Sequence, residues 1–476
     1  MKSFSAKMAF ITCAMTACGC LAQETNTAGD TASLAQQTPM PSGPAKVVVR
    51  QTEGRWQLYV NGQPFYIKGA GLEFGDQEKL AAAGGNSFRT WRTVNAQQVL
   101  DRALKNGLYV AMGLDVSRER HGFNYSDTNV VAKQLEDMKS QVLQFKDHPA
   151  LLMWDIGNEL NLNSRNAKVW DAVNDISKMI HAVDTNHPTT TSLSGYDKAV
   201  IDKVKTRASD LDLLCFQSYG DIVKLQRKLK SWEWNSPYAV TEWGATGHWE
   251  CRKTTWDAPI EEDSSVKAAA YQERYQIAIA PDTANCLGSY VFLWGQKQER
   301  TPTWYGMFLS TGESTETVDV MRHIWTGRWP EFRCPQVKQF LLDERTAKQS
   351  VHLNAGQTYA ARVVAQPQDD SALTYSWEIM EESSTKSVGG DLEAPPQRFP
   401  SLIAEGAAGE AQVKAPAKSG AYRLFVYVLG RHYNAGYANI PFYVDGNVDV
   451  VDTNSAAAIP GSATVNTNPA AADTKP

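Results

Sequence analysis

No stretch of this chain is both long and apolar enough to span a bilayer as a helix. The apolar run near the N-terminus, Met8 to Met15, is too short. Cysteine is scarce: 7 in 476 residues, with Cys13, Cys18 and Cys20 crowded at the start. That leaves Cys215, Cys251, Cys286 and Cys334, too few for a fold held mainly by disulfides. Four cysteines allow three pairings and the sequence does not choose among them, although Cys215 lies inside an apolar segment and reads as a buried thiol. No Cys or His spacing suggests zinc. Positive charge is not in excess. The formal net charge is −5, where a nucleic-acid binder would more often be basic. No glycine-rich loop follows the first predicted strand, which argues against a dinucleotide site. No internal repeat is visible, which argues against a solenoid.

What is present is apolar and aromatic. Hydrophobic residues make up 42% of the chain, enough for a sizeable core, and the length suits two or three domains. Residues 1–22 have the anatomy of an export signal, with Lys2 and Lys7 before the short apolar run and small residues after it. Within them Met15-Thr16-Ala17-Cys18 resembles a bacterial lipobox, so lipidation of Cys18 is expected, with cleavage after Ala22 as the alternative. Residues 23–45, rich in Thr, Ala, Gln, Ser and Pro, read as a flexible linker, and residues 447–476 as a disordered tail. An exported protein is therefore expected: an envelope lipoprotein tethered to a membrane, or a secreted one.

Between these ends two patterns follow one another. Trp56–Val60 and Phe65–Lys68 flank Asn61-Gly62, a strong hairpin signal. Eight strand candidates then alternate with helical stretches: Phe65–Phe74, Asn86–Trp91, Leu108–Val116, Leu151–Glu159, Thr189–Ser194, Leu211–Tyr219, Tyr238–Trp243 and Leu287–Trp294. The helices include Ala96–Lys105, Val130–Phe145, Lys168–Val183 and Ser264–Ala280, the last with Asp263 available as N-cap. Eight β/α units predict a TIM barrel over residues 46–332, an open doubly wound sheet being the alternative. From residue 333 to 446 short alternating segments are separated by Gly, Pro and Ser, which predicts a β-sandwich. Tyr375-Ser376-Trp377 and the later Gly420–Leu424 resemble an immunoglobulin-like or PKD-like module.

Two segments carry chemistry. Trp154-Asp155-Ile156-Gly157-Asn158-Glu159 and Ala239-Val240-Thr241-Glu242-Trp243-Gly244 each follow an apolar run, so each delivers one Glu to a strand end. Barrel active sites lie at the C-terminal ends of the strands. A pair of carboxylates meeting there can cleave a glycosidic bond, one protonating the leaving oxygen and the other attacking the anomeric carbon. A lone Glu at a strand end is usually a surface carboxylate; two of them, on the fourth and seventh strands, make a site.

The chain from about residue 56 to 330 resembles glycoside hydrolase clan A, whose signature is Asn-Glu ending the fourth strand and a Glu ending the seventh. His148–Glu159 looks particularly like the TIM-barrel domain of family 2, and residues 65–75 have some likeness to family 5 and to fungal glucanosyltransferases. The resemblance implies that Glu159 is the acid/base and Glu242 the nucleophile. It also implies that Arg89 and Tyr219 contact the nucleophile, that Asn158 binds the sugar 2-hydroxyl, and that Trp294 is the aromatic platform. Gln217 stands where many clan members have His. Trp243, Trp249, Trp256, Trp304 and Tyr305 are candidates to line further subsites, because sugar faces stack on rings. Glu73, Arg92 and Asp115 also lie near strand ends, and His121 and His248 in the loops beyond.

The expected activity is a retaining β-glycoside hydrolase acting on β-linked, glucan-type oligo- or polysaccharides. The alternatives are a transglycosylase of the same fold and a non-catalytic glycan-binding lipoprotein. The partner is a carbohydrate, not nucleic acid, and no metal or organic cofactor is implied. The sandwich reads as a prop for the barrel or a sugar-binding module, with Tyr433 and Tyr437 as candidate exposed rings.

Overall fold

The computed structural model describes residues 42–448 apart from Phe74, Asp370, Ser371, Lys386 and Ser387. The export signal, most of the linker and nearly all of the tail lie outside the described residues. No helix among those described is long and apolar enough to cross a membrane.

Order begins with a small antiparallel sheet of β1 (Val47–Thr52), β2 (Arg55–Val60) and β3 (Gln63–Phe65). Its second turn is Asn61-Gly62, both at positive φ (51° and 80°), the type I′ geometry that suits a two-residue hairpin. Val47, Leu58 and Val60 pack onto Ile67, Leu213 and Leu287, so this sheet plugs the end of the barrel where its strands begin.

The barrel comprises β4 (Ile67–Gly71), β5 (Ser87–Arg89), β6 (Tyr109–Leu114), β7 (Leu151–Asn158), β8 (Thr189–Ser194), β9 (Leu214–Gln217), β10 (Tyr238–Glu242) and β11 (Cys286–Val291). The strands are all parallel and close in sequence order, β11 pairing with β4. The predicted TIM barrel is present, each strand inside its expected segment or within a residue of it. Helices Ala96–Lys105, Thr128–Phe145, Lys168–Val183 and Ser264–Arg274 cover the outside. Asp263 caps the last by accepting from the Ser265 and Val266 N–H groups, and a π-turn, Tyr275–Ile279, extends it. Trp154 and Ile156 pack outward in the core shared with the helices, whereas Met153 lies in the cluster inside the strands.

The C-terminal part is a two-sheet sandwich. One sheet joins β12 (Ser314–Thr315), β14 (Val351–Asn354), β16 (Thr374–Glu381), β19 (Gly420–Leu429) and β20 (Asn434–Asp445). The other joins β13 (Gln336–Leu342), β15 (Thr358–Gln366), β17 (Ile403–Glu405) and β18 (Glu410–Lys414). Trp377 sits in its core against Phe340. β12 comes from the barrel segment, before the final barrel helix Glu316–Thr326, yet it pairs with β20. The two parts are thus joined by backbone hydrogen bonds as well as side chains.

A buried polar network deepens the junction. Lys267 donates to Glu261 (2.5 Å), to the Thr303 and Trp304 carbonyls and to Tyr437 of the sandwich. Asn439 donates to Glu261 (2.7 Å), and Arg423 reaches Asn439, Glu382 and the Pro259 carbonyl. Tyr437, expected among the exposed rings, is buried as part of this network, whereas Tyr433 is exposed. The four cysteines in the described residues are free, and Cys215 is buried.

Candidate active site

Irregular strand ends deliver both carboxylates. The β7–β8 register shifts between Asp155 and Asn158, and the β9–β10 register shifts between Val240 and Glu242. Bulges of this kind re-aim side chains at barrel rims. Gly157 and Glu159 both sit at positive φ (76° and 51°), which is uncommon for Glu and costs about 1–3 kcal/mol, so the surrounding structure must hold it. The Glu159 N–H donates to the Ser192 carbonyl at 2.8 Å. Glu159 and Glu242 border the same cleft, a cavity of about 2220 Å³ at the C-terminal face of the barrel.

Glu242 is held by four donors. Its Oε1 accepts from Arg89 (2.9 Å), the Trp91 indole (3.0 Å) and Gln217 (3.1 Å), and its Oε2 from the Tyr219 hydroxyl (2.8 Å). Arg89 is fully buried at the end of β5 and also reaches Asp155 (3.0 Å) and Asn158 Oδ1 (2.9 Å). Arg89 therefore contacts Glu242 and also makes a barrel-lining salt bridge to Asp155. Gln217 donates to Asn158 Oδ1 at 2.7 Å as well. Two donors on Oδ1 fix the amide, leaving the Asn158 N–H groups free to donate elsewhere.

Glu159 has a different setting. Burial and the nearby Glu242 charge push its carboxyl up to about 7, against the pull of Arg120 and Arg89. It can therefore hold a proton near neutrality.

The structure brings Glu159, Glu242, Arg89, Asn158 and Tyr219 together. Of the expected tryptophans, Trp249 and Trp256 border the cleft, whereas Trp243, Trp294 and Trp304 offer it no ring face. Trp243 is 0% exposed and packs against Tyr271 and Tyr275 of the outer helix. It follows Glu242 directly, and strand alternation turns adjacent side chains to opposite faces. Trp304 is 2% exposed, its indole donating to the Thr246 carbonyl. Trp294 borders the cleft but is 0% exposed. Its ring packs on Phe308 and Trp325, and its N–H donates to the Asp76 carbonyl, so it lies under the rim and offers no stacking face. Tyr305 is buried behind Tyr219.

The rings that do border the cleft include Trp91, Trp249, Trp256 and Phe292, with Trp249 58% exposed beside Tyr219. The Phe292–Leu293 peptide is cis. Trp91 was missed from sequence although its spacing was a signal, since two residues after Arg89 it shares the inward face. Glu73 pairs with Arg92 and Asp115 with Arg118 at the cleft edge. His248 packs among Trp249, Trp304 and Tyr305, and burial lowers its imidazole to about 4. His121 contacts Asp391 of the sandwich.

Residues 52–249 match the family model described as glycosyl hydrolases family 2, TIM barrel domain. Among curated proteins the chain is similar to the β-glucuronidase of Sus scrofa, 24% identical over 210 residues, covering 38% of this chain and 30% of that protein. It is similar to that of Chlorocebus aethiops at 26% over 238 residues, covering 43% of this chain and 34% of that protein. The match thus spans about a third of the length of these relatives. Among solved structures it is similar to the Bifidobacterium dentium β-glucuronidase complexed with coumarin-3-O-glucuronide. There the identity is 19%, the TM-score is 0.48, and the match covers 60% of this chain and 49% of that one. Residues 52–249, which hold the Asn158-Glu159 pair ending the fourth barrel strand and Glu242 ending the seventh, are thus similar to the TIM-barrel domain of glycosyl hydrolases family 2.

Proposed function

We propose that this chain is a retaining β-glycoside hydrolase. The observation that carries the reading is the unequal treatment of two carboxylates on one cleft. Glu242 is surrounded by four donors, one of them cationic, which fix the orientation of its carboxyl. Glu159 is buried beside it and raised to about 7. Glu242 attacks the anomeric carbon through Oε2, the oxygen with a single protein donor, while Glu159 gives its proton to the departing oxygen. The bond from carbon to the leaving oxygen breaks as the bond to Glu242 forms. Glu159, now ionised, then takes a proton from water, whose oxygen displaces Glu242 and releases the sugar with its original anomeric configuration. Asn158 donates to the sugar 2-hydroxyl, a contact that strengthens as charge develops at the neighbouring carbon.

The substrate is a β-linked oligo- or polysaccharide. A small-molecule pocket occupies about 300–1000 Å³, and this cleft exceeds that range, which supports more than one sugar unit. The curated relatives named above are β-glucuronidases, which makes a β-glucuronide the first glycone to try, ahead of the glucan suggested by the aromatic-rich loops. A panel of β-glucuronides, β-glucosides and β-glucan oligosaccharides tests this. Initial products would be read by proton NMR for anomeric configuration. Turnover of one class with retention supports the reading, and inversion, or no turnover of any β-glycoside, contradicts it. Transglycosylation would show as longer products at high substrate concentration.

A further inference from the structure

The sandwich reaches into the cleft. Between β16 and β17 its chain passes over the barrel rim, and Val388–Glu393 borders the same cavity as the two carboxylates. Gly389 is the closest point. A Cβ built there would lie 3.1 Å from Glu159 Oε2, 2.8 Å from Arg120 Nη2 and 2.7 Å from Leu162. Gly389 also has φ +64°, a conformation that L side chains rarely adopt. Its neighbour Gly390 has a similar φ, +73°, but a Cβ there would meet only the flexible end of Lys297 closely.

The segment is fastened on both sides. Lys297 donates to the Gly390 carbonyl (2.7 Å), and the Arg300 N–H donates to Glu393 (2.7 Å). Asp391 faces Arg120 (3.5 Å) and His121 (3.3 Å) in the loop after β6. Upstream, Glu382 is held by Arg423 in the buried junction. The Arg120 side chain is 93% buried, and its Nε and Nη1 have no hydrogen-bond partner among the described residues.

We propose that the sandwich completes the active site, with Gly389 positioning Glu159 and, together with Arg120, forming the wall against which the leaving group binds. The inference rests on Glu159 being the acid/base, because a wall on that carboxyl stands on the leaving-group side of the bond. The Gly389 backbone keeps water from Glu159 without touching its proton. Arg120 gives this wall a cationic, polar lining, which suits oxygen atoms of a second sugar better than an apolar aglycone. The charged groups facing Glu159 are then Glu242 and Arg89 from the barrel and Arg120 from the loop, with Asp391 behind Arg120.

The test uses the full chain and two leaving groups, phenyl and 2,4-dinitrophenyl, on the glycone that turns over. Glu159→Gln is the reference. It should lose about 100-fold or more on the phenyl glycoside and far less on the dinitrophenyl one, which needs little protonation. If it does not discriminate, the acid/base reading fails, separately from the wall. Given that reference, Gly389→Ala should lose about 10-fold or more on the phenyl glycoside with a change of only about 3-fold on the other, as expected for a displaced acid. Gly390→Ala, with equal backbone strain, should leave the ratio of the two rates unchanged. An unchanged ratio in Gly389→Ala, or an equal change in Gly390→Ala, overturns the proposal. Where Gly389→Ala does not fold, Asp391→Ala decides. Loosening the wall admits water, so the basic limb of kcat/KM should move to lower pH, and a limb left in place overturns the inference.

Discussion

Two carboxyls of one residue type meet different surroundings here, and in the proposed reaction that difference assigns their jobs. Glu159 is buried with a proton affinity raised to about 7, so kcat/KM should fall as pH rises through about 7, where the acid ionises. The same shift has a thermodynamic sign. A carboxyl whose folded pKa lies above its unfolded value of about 4.3 gives stability below that value and loses it as pH rises towards the folded pKa. Glu159→Gln should therefore raise Tm relative to wild type at pH 8 and have little effect at pH 5, measured by differential scanning fluorimetry. Gln217→Ala removes donors to both Glu242 and Asn158 and should lower kcat about 10-fold or more while leaving the fold intact, read by steady-state kinetics and circular dichroism. At this scale the sequence was readable where alternation was respected. Arg89 stands at an inward strand end. Trp243 is one residue from Glu242 and so faces outward, and Trp91 is two from Arg89 and so faces the site. Composition and proximity in sequence pointed to Trp243, Trp294 and Trp304, but their rings fill the outer core.

Whole elements were more legible than their irregularities. All eight barrel strands, the Asn61-Gly62 hairpin and the cap at Asp263 follow from periodicity and turn chemistry. The bulges that aim Asn158 and Glu242 do not, because register against a neighbouring strand is a property of the pair. Strands β13 and β17 are hard to read from sequence for a similar reason. Gln336–Leu342 mixes exposed Lys338 and Gln339 with buried Val337 and Phe340 across a register shift, which blurs the alternation, and Ile403–Glu405 is only three residues long. The helix Ser264–Arg274 joins the two parts through Lys267, whose ammonium is buried with Glu261. Removing one partner of a buried pair leaves the other uncompensated, typically at about 3–5 kcal/mol. Lys267→Met should therefore lower stability by about that amount in urea titration, far more than Lys198→Met at an exposed helix pair, which should cost about 0.5 kcal/mol or less.

Across the whole molecule, barrel and sandwich share a sheet through β12 and β20, a buried ionic network, and a wall on the cleft. The sequence showed two patterns with a seam near residue 333, and nothing local to either announced that the second would reach back over the first. Such contacts join residues far apart in the chain, here Gly389 and Glu159, and only the folded coordinates bring them together. A chain ending at residue 332 would expose buried Leu309, Lys267 and Glu261, so it should be insoluble or unfolded, whereas the intact protein should melt in one calorimetric transition. The central claim is that Glu242 forms a bond to the sugar. A 2-deoxy-2-fluoro glycoside with a good leaving group, of the glycone that turns over, tests it by intact mass and peptide mapping. One sugar added per chain, on the peptide containing Glu242, is the result expected. A label on another residue, or an active enzyme that turns over without accumulating any adduct, would contradict it.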